Sequence, residues 1–299
     1  MISPPRVSII IPTAGERSRA DTLVRAIDSA ASQQHAEVEI IVVLNGQRFD
    51  PAIRGALEAD PRLRAVYLAE GNVSRARRHG LDLATGAYFG FLDDDDELLS
   101  GALALRTREM LNRPDIDVLV TNGYLNSGTD APVVAAHAWP TLGDNTVGSF
   151  LKLNWFASPA PLFRRATVAP QHFDIPYIYY EMTYLFFALF TAGLRFGFLE
   201  KKTYRVNQGD SASASHSRAY ELALPDFLLD LRRLPLDRET ENVLKQKYLT
   251  ALNTSANLRL TDGEVAAAWR LHGQCLAGGG WRYLPFTRHL LRGLFGRRR

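Results

Sequence analysis

Short apolar runs alternate with amphipathic stretches along the first part of the chain. The runs at 7–11 and 38–44 are rich in β-branched residues and end at turn-forming residues, which is typical of buried strands. Between them, Leu23 and Ile27 recur at helical spacing, which predicts a helix over 18–33. Further strands are predicted at 65–68, 88–92 and 117–124, and a further helix at 74–84. Strands separated by helices imply parallel strands with right-handed crossovers, so the pattern predicts an α/β fold.

The composition is that of a globular protein that can bury a full core. The chain has 299 residues, 46% apolar and 22% charged, which fits one large domain or one domain with a helical appendage. Cys275 is the single cysteine, so a reducing, cytoplasmic location without disulfides or a cysteine zinc site is predicted. Residues 1–6 show no secretory signal pattern, and the apolar stretch at 184–194 is shorter than the roughly 20 residues that span a bilayer.

Positive charge is concentrated towards the C-terminus. The net charge is +3 and the isoelectric point is near 9.0, a mild excess that predicts no nucleic-acid partner. Residues 281–299 combine arginines with one apolar stripe, made of Leu290, Leu291, Leu294 and Phe295. This pattern predicts an amphipathic helix in peripheral contact with the inner face of the cell membrane. The alternative is a helix packed on the domain with a basic tail.

No glycine-rich phosphate loop follows the first predicted strand. The chain there reads Pro-Thr-Ala-Gly-Glu at 12–16, which is neither the G-x-G-x-x-G of dinucleotide-binding proteins nor a GxxxxGK[ST] loop. In open α/β sheets, ligands bind at the carboxyl ends of the strands, and the polar segments of this chain fall there. The sequence therefore predicts a nucleotide-binding fold that lacks both standard loops.

A run of four aspartates, from Asp93 to Asp96, follows the predicted strand at 88–92. Like charges packed at the end of a buried strand repel one another, so a cation is expected beside them. One or two carboxylates, together with water and phosphate oxygens, are the usual ligands of Mg²⁺, which makes Mg²⁺ or Mn²⁺ the predicted ion. The alternative is that the acids cap a helix beginning near Leu98, a role assigned to Asp96 and Glu97.

Four segments, in order along the chain, resemble the motifs of one enzyme family. They are VSIIIPT at 7–13, EIIVV at 39–43, VSRARRHG with LATGAY at 73–88, and FLDDDD at 91–96. The third is similar to the family's A-R-N-x-G and A-x-G-x-Y patterns and the fourth to its F-L-D-x-D-D. The chain thus resembles the family 2 glycosyltransferases. The resemblance implies the GT-A fold, a Rossmann-like and mostly parallel sheet flanked by helices, with a helical C-terminal extension.

The resemblance assigns donor-site roles to four residues. It implies that Asp95 holds the metal on the diphosphate of a nucleotide-sugar donor, while Asp93 contacts the donor's ribose or sugar. Asp94 is a further candidate for donor binding. Arg77 is the candidate contact to the nucleotide or diphosphate. The chemistry agrees, because departure of a nucleoside diphosphate builds negative charge that a metal ion stabilises as a Lewis acid.

Pro12, Thr13 and Asn45 are the candidate nucleoside contacts. By resemblance, the loop that contains Pro12 and Thr13 lies against the nucleoside. Family members commonly carry Asp-Asp-Gly after the second strand, where this chain has Leu-Asn-Gly at 44–46. Asn45 offers a donor and an acceptor to a base edge, and Asn-Gly is equally typical of a tight turn. Uridine is therefore the default base, with thymidine and guanosine left open.

Glu181 is the candidate catalytic base. Residues 180–193 resemble the family's E-D-x-x-L…A-G helix, with Met182 in place of the second acid. An inverting transfer needs a base within hydrogen-bond reach of the acceptor hydroxyl, so Glu181 is assigned that role and Asp174 is the reserve candidate. The alternative for Glu181 is a carboxylate favoured only by the helix dipole.

A polar loop is predicted to close over the diphosphate. YRVN at 204–207 and GDSAS at 209–213 resemble the family's Y-R-x-H…S-x-S segment. Asn207 stands where a histidine is common, which makes His216 a substitute candidate ligand. Small polar residues around it predict a mobile lid that excludes water from the donor.

The sequence predicts a GT-A domain at 1–218, with a nucleotide-sugar half at 1–125 and an acceptor half at 126–218, and a helical region with a basic amphipathic tail at 219–299. The predicted function is inverting transfer of a sugar from a nucleoside-diphosphate donor to a hydroxyl on a saccharide or lipid-linked saccharide. By resemblance, bacterial surface-polysaccharide or lipopolysaccharide assembly is the expected setting. The alternatives are a nucleotidyltransferase on a similar sheet and a non-catalytic nucleotide-sugar binding module.

Overall fold

A computed structural model describes residues 5–208 and 217–295. The chain divides into two compact units, Met1–Gly209 and Asp210–Arg299. The first unit contains every described strand, and the described part of the second is helical. The subdivision of the predicted GT-A domain into halves at 125/126 stays a prediction.

The first unit begins with the predicted alternation of strands and helices. Its elements up to the acidic run are β1 (Arg6–Thr13), α1 (Ala20–Ala31), β2 (Glu37–Asn45), α2 (Pro51–Ala59), β3 (Leu63–Leu68), α3 (Val73–Leu83) and β4 (Tyr88–Phe91). β1 pairs in parallel with both β2 and β4, and β2 pairs in parallel with β3. The apolar runs of β1, β2 and β4 are buried on both faces, as parallel strands covered by helices require.

The second part of the unit makes the sheet mixed. Its elements are β5 (Glu97–Leu98), α4 (Ala102–Asn112), β6 (Val118–Asn126), β7 (Asp130–Pro132), α5 (Thr146–Leu153), β8 (Pro161–Arg164), α6 (Glu181–Thr191) and β9 (Phe196–Asn207). The strand order is β3-β2-β1-β4-β8-β6-β9-β5, with β7 beside β6. β8 is antiparallel to β4 and β6, whereas β6 and β9 are parallel. The sheet is therefore parallel in its first part and mixed in its second.

Two glycines of the LATGAY and VSRARRHG segments allow close contacts between elements. A Cβ on Gly80 of α3 would lie 2.5 Å from Ile10 Cγ2 of β1 and 3.1 Å from Val43 Cγ2 of β2. A Cβ on Gly86 would lie 2.7 Å from the backbone nitrogen of Ser8. These close contacts let α3 pack directly on the sheet and let β4 begin beside β1. The position of β4 in turn fixes where the aspartates that follow it lie.

The helix predicted near Leu98 begins later. Glu97 and Leu98 form β5, which pairs with β9, and α4 starts at Ala102 with Gly101 as its N-cap. The prediction that Asp96 and Glu97 cap this helix was therefore wrong. The physical reason is that the acidic run turns back into the sheet, where strand pairing with β9 takes precedence over helix initiation.

The second unit consists of α7 (Arg218–Leu231), α8 (Arg238–Thr261), α9 (Val265–Ala277), a 3₁₀ segment (Trp281–Phe286) and α10 (Thr287–Phe295). Leu249, Leu252 and Cys275 form its core, and the Cys275 thiol donates to the carbonyl of Leu249 at 3.3 Å. Within the described ranges, the molecule has no helix that combines the length and the apolarity needed to cross a membrane.

Candidate functional site

The carboxyl ends of β1, β2 and β4 bring four of the predicted donor-site residues together. Thr13 is the last residue of β1, and its hydroxyl donates to Asp94 Oδ2 at 2.7 Å. Asn45, the last residue of β2, donates from Nδ2 to the carbonyl of Thr13 at 2.9 Å. Pro12 is buried beside them in β1. This is the edge of a parallel sheet at which ligands of open α/β folds bind.

A buried arginine joins the acidic run to the candidate base. Arg77 Nη2 donates to Asp93 Oδ1 at 2.7 Å, and Arg77 Nη1 donates to Glu181 Oε1 at 3.0 Å. Ser158 completes the group, since its hydroxyl donates to Asp93 Oδ1 at 3.0 Å and accepts from Arg77 Nη2 at 3.2 Å. Both terminal nitrogens of Arg77 are thus engaged by protein groups, and its side chain is 5% exposed.

Local backbone features aim these side chains. The side chain of Asn72 caps α3 by accepting from the backbone N–H of Arg75 at 3.1 Å, which sets the start of the helix that carries Arg77. Tyr180 precedes α6 with φ 62°, in the left-handed region that non-glycine residues seldom adopt. This turn places Glu181 in the first turn of α6, where it meets Arg77.

The charges on Asp93 and Glu181 hold Arg77 ionised. Burial by itself would lower the pKa of the guanidinium, but the two carboxylates outweigh it and the pKa is raised. The guanidinium also lies 5.9 Å from the centre of the Phe91 ring. Removing either the guanidinium or one of its carboxylate partners would leave a buried charge without its counter-ion, which destabilises the folded protein.

A second arginine contacts the other two carboxylates of the run. Arg19 ends a 3₁₀ turn that follows β1, and its Nη2 lies 2.8 Å from Asp94 Oδ1 and in close contact with Asp95 Oδ2. The side chains of Arg19 and Asp95 are 42% and 36% exposed, whereas that of Asp94 is 7% exposed. The ion pair between Arg19 and Asp95 is therefore open to solvent and to exchange.

The acidic run is electrostatically strained. Burial raises the pKa of Asp94 to about 6, with Asp95 and Asp93 adding to the effect and Arg19 and Thr13 opposing it. Burial and Asp93 also raise the pKa of Asp95, again against Arg19. The pKa of Asp96 is raised well above its ordinary value by burial and by its neighbours. A further cation at the exposed side of the run would relieve this strain.

Asn207 holds the end of the run to the sheet. Its backbone N–H donates to Asp96 Oδ1 at 3.1 Å, and its side-chain Nδ2 donates to the carbonyl of Asp95 at 2.8 Å and to Glu97 Oε1 at 3.1 Å. Its Oδ1 accepts from Asn126 Nδ2 at 2.9 Å. Asn207 therefore fixes the backbone that carries Asp95. His216 and the rest of 209–216 lie outside the described residues.

The donor set at the run fits a divalent ion that is shared with a ligand. Among residues 5–208 and 217–295, no three His, Cys, Asp or Glu side chains are grouped as a ready-made metal site. Asp95 nevertheless presents a partly exposed carboxylate with a raised pKa, beside the partly exposed Asp93. A Mg²⁺ site of one or two carboxylates completed by phosphate and water needs no more than this from the protein.

The reserve base and Arg75, which lies two positions before Arg77, take part in other contacts. Asp174, the reserve base, pairs with Arg78 at 3.0 Å and has a 62% exposed side chain. Arg75 pairs with Glu70 on the surface at 2.7 Å. The described contacts of Asp174 thus link it to Arg78 rather than to the group around Arg77.

Two residues of the site were not predicted from the sequence. Arg19 lies in a segment that matches no phosphate-loop pattern, although an arginine shortly after the first strand was the available signal. Ser158 lies between Ala157 and Pro159, just before β8, and nothing in its local sequence marks it. Its role depends on the sheet bringing β8 next to β4.

The fold and this site define an α/β protein with acidic side chains at the ligand-binding edge of its sheet, and comparison with known proteins identifies the family. Residues 8–164 match the model of Glycosyl transferase family 2. The match spans more than half of the chain, and the chain therefore belongs to this family. The resemblance recognised from the motifs is confirmed.

Curated relatives match over part of the chain. An uncharacterized glycosyltransferase, EpsJ, of Bacillus subtilis is 32% identical over 125 residues, 41% of this chain and 35% of that protein. The GalNAc(5)-diNAcBac-PP-undecaprenol β-1,3-glucosyltransferase of Campylobacter jejuni is 36% identical over 106 residues, 33% of each. The succinoglycan biosynthesis protein ExoO of Rhizobium meliloti is 37% identical over 98 residues, 32% of this chain and 27% of that protein. The matches thus span about a third of these relatives.

The fold extends further than the sequence similarity. The crystal structure of S. aureus TarS 1–349 in complex with UDP-GlcNAc superimposes with a TM-score of 0.59 at 15% identity, covering 91% of this chain and 81% of that one. A second crystal structure of S. aureus TarS 1–349 gives a TM-score of 0.55 at 16% identity, covering 87% of this chain and 74% of that one. The predicted GT-A fold with its helical C-terminal region is confirmed.

Proposed function

We propose that this protein transfers a sugar, with inversion, from a nucleoside-diphosphate sugar to a hydroxyl group of its acceptor. The observation that carries the proposal is the bridge from Asp93 through Arg77 to Glu181, because it ties the acidic run to a carboxylate 104 positions away from Arg77. One buried guanidinium holds both the proposed donor-binding acid and the proposed base. An inverting transfer in a single displacement needs these two groups in fixed positions. The alternative of a non-catalytic module predicts donor binding without turnover.

The proposed reaction breaks one bond and forms another at the anomeric carbon. The acceptor oxygen bonds to that carbon as the bond to the β-phosphate oxygen breaks, and the nucleoside diphosphate leaves with the electron pair. Glu181 receives the acceptor's proton. Asp93, fixed by Arg77 and Ser158, orients the donor's sugar or ribose. Arg77 acts as a positioning residue, since its terminal nitrogens already hold Asp93 and Glu181.

Asp95 is proposed to hold a divalent cation, Mg²⁺ or Mn²⁺. When bound, such an ion supplies Lewis-acid stabilisation of the charge that develops on the diphosphate. For Asp95 to be available, Arg19 has to release it, and the exposure of that ion pair allows this at small energetic cost. After releasing Asp95, Arg19 can still pair with Asp94. Its positive charge then stays at the edge of the sheet where an anionic ligand would bind. Metal and Arg19 thus compete for one carboxylate.

The donor's base is proposed to lie against Pro12, Thr13 and Asn45. Asn45 Nδ2 donates to the Thr13 carbonyl, which leaves its Oδ1 to serve as an acceptor for a base edge. Uridine stays the default base, and the UDP-GlcNAc complex of the TarS neighbour supports that choice. A hexose or a related sugar is the proposed transferred group.

The proposed acceptor is a saccharide or a lipid-linked saccharide. The names of the Campylobacter jejuni relative, which acts on an undecaprenol-linked substrate, and of ExoO, in succinoglycan biosynthesis, support an assembly of bacterial surface polysaccharide. A cytoplasmic protein in peripheral contact with the membrane through its C-terminal region fits such an acceptor. Residues 296–299 of the basic tail lie outside the described residues.

The proposal is tested with UDP-, TDP- and GDP-sugars, each with Mn²⁺, Mg²⁺ or EDTA, following release of the nucleoside diphosphate. One donor is expected to bind and turn over slowly onto water in a metal-dependent manner. Glu181→Gln should lower turnover at least about 100-fold while donor affinity stays within about threefold. Glu70→Gln, which changes an exposed carboxylate on the loop between β3 and α3, is the matched control.

Three outcomes would overturn the proposal. If no donor binds with either metal, the donor site is wrong. If Glu181→Gln turns over like the wild type, the base lies elsewhere. If the protein instead releases pyrophosphate from a nucleoside triphosphate, the nucleotidyltransferase alternative takes its place.

A further inference from the structure

The helical segment from Trp281 into α10 has two faces, and one of them packs into the second unit. Tyr283 packs against the core formed by Leu249, Leu252 and Cys275. The Phe286 ring lies 5.4 Å from that of His272, and Leu290 is fully buried. These positions recur at helical spacing, so one side of the segment is anchored to the helices beneath it.

The burial of Leu290 changes the apolar stripe predicted from the sequence. Leu290 and Leu291 were placed together on one apolar stripe, and the structure separates them, with Leu290 buried and Leu291 44% exposed. The side chains of Leu294 and Phe295 are outside the described set. The exposed apolar face is therefore a different one and begins earlier in the chain.

That exposed face carries large apolar side chains. Trp281 is 66% exposed, Leu284 51% and Leu291 44%. Trp281 and Leu284 are three residues apart in a 3₁₀ segment, where such positions eclipse one another. Leu284, Arg288 and Leu291 follow at the spacing of one helix face. The result is an exposed apolar ridge beside the face that carries Tyr283, Phe286 and Leu290.

Cations surround this ridge. Arg282, Arg288 and Arg292 are exposed on the same segment. Residues 265–299 contain seven arginines and no aspartate or glutamate. Arg282 lies over the Tyr283 ring at 4.8 Å and donates to the Thr250 hydroxyl at 3.0 Å, both of which are uncharged partners. The positive charge beside the ridge is thus available for an anionic surface.

We infer that the ridge of Trp281, Leu284 and Leu291, with Arg282, Arg288 and Arg292, docks on an anionic lipid bilayer. A tryptophan with adjacent leucines suits the boundary between headgroups and acyl chains, and arginines suit the anionic headgroups above it. An apolar ridge bordered by arginines, in a segment without aspartate or glutamate, matches a negatively charged bilayer better than a protein groove. The inference rests on the peripheral location proposed above and is independent of whether sugar transfer occurs.

The full-length protein is tested by sedimentation with vesicles of phosphatidylcholine alone or with phosphatidylglycerol added. Binding is expected only to the anionic vesicles and should weaken as salt rises. Trp281→Ser combined with Leu284→Ser should lower the fraction bound at least about tenfold, as should Arg288→Gln with Arg292→Gln. Leu111→Ser, at an exposed leucine of α4 that is 56% accessible, is the matched control and should bind like the wild type.

Fluorescence gives a second measurement. Trp281 is 66% exposed, whereas Trp139 and Trp155 are 7% and 1% exposed and Trp269 is half-buried. Anionic vesicles should therefore shift the emission to the blue in the wild type and much less in Trp281→Phe. Release of nucleoside diphosphate from a soluble donor should be the same in all ridge variants, which separates this inference from the proposed activity.

The inference fails if the wild type stays in the supernatant with anionic vesicles, or if Leu111→Ser loses as much binding as the ridge variants. It also fails if the protein self-associates without lipid and the ridge variants abolish that association, because the ridge would then be an interface between two copies of the chain.

Discussion

Glu181, in the first turn of α6, accepts a 3.0 Å hydrogen bond from Arg77 of α3, 104 positions earlier in the chain. The same guanidinium holds Asp93 at 2.7 Å. The geometry of the candidate base and of the first aspartate of the run therefore depends on one side chain. A substitution of Arg77 should therefore displace both carboxylates, and its effect on turnover can be measured.

Arg77→Lys should lower kcat at least about tenfold while the KM for the donor changes less. A lysine keeps the positive charge but cannot reach two carboxylates with the planar fork of an arginine. Arg77→Met should in addition destabilise the protein by about 3–5 kcal/mol, because it leaves two partly buried acids without their partner. Steady-state kinetics and urea unfolding measure the two effects.

Arg75→Lys is the control for that experiment, since Arg75 pairs with Glu70 at the surface. It should leave both kcat and the free energy of unfolding close to the wild-type values. Equal losses in Arg75→Lys and Arg77→Lys would contradict a positioning role for Arg77.

Arg19→Gln should bind Mn²⁺ about fivefold more tightly than the wild type in the absence of donor. The substitution removes a cation that contacts Asp95 and Asp94, and an exposed ion pair of this kind is worth up to about 1 kcal/mol. Free Mn²⁺ is followed by electron paramagnetic resonance during titration. Arg17→Gln, in the same 3₁₀ turn but exposed, should change the affinity less than twofold. Unchanged or weaker binding in Arg19→Gln would show that Arg19 does not compete with the metal.

Asp94→Asn should gain stability relative to the wild type as pH rises. The pKa of Asp94 is about 6 in the folded protein against an ordinary value of 3.8, so between these values the folded state binds more protons than the unfolded state. Stability therefore falls with rising pH through this window, by about 2–3 kcal/mol. The asparagine does not titrate and escapes this loss.

Urea unfolding in EDTA at pH 4.5 and 7.5 measures this difference between Asp94→Asn and the wild type. Asp60→Asn is a useful comparison, because the hydrogen bond from Arg62 lowers the pKa of Asp60 and moves its titration below this window. The stability difference between Asp60→Asn and the wild type should thus be nearly independent of pH. A pH-independent difference for Asp94→Asn as well would refute the burial effect.

Gly80→Ala should destabilise the fold by about 1–3 kcal/mol, because a new Cβ would meet Ile10 and Val43 in a packed interior. The shift of α3 away from the sheet should also displace Arg77 and lower turnover. Gly55→Ala is the matched control in α2, where an added Cβ meets nothing within 4 Å. That alanine should be neutral or slightly stabilising, since alanine favours a helix more than glycine does. Thermal unfolding of both variants gives the comparison.

Much of the fold followed from local patterns. The β-branched runs of β1 and β2 and the spacing of Leu23 and Ile27 are local signals, and the structure has strands and a helix there. The start of α4 was misplaced, because the pairing of Glu97 and Leu98 with β9 is a long-range contact that local charge does not reveal.

For the candidate site as well, some residues could be predicted from the local sequence and others could not. Asp93, Asp94 and Asp95 were found from a run of like charge at a strand end, which is visible in the sequence. Ser158 and Arg19 become part of the site only when distant elements meet. The roles of Asn45 and Glu181 stay predictions, although their contacts with Thr13 and Arg77 are now described.

The bridge through Arg77 also bears on the order of folding. The region that matches the family ends at residue 164, before the chain reaches Glu181. A growing chain, or a fragment cut at that point, would have to bury the guanidinium with Asp93 and Ser158 but without its second carboxylate. α3 should therefore settle onto the sheet in full only after α6 has been made, so that the donor half of the protein completes its packing at the moment when the candidate base arrives.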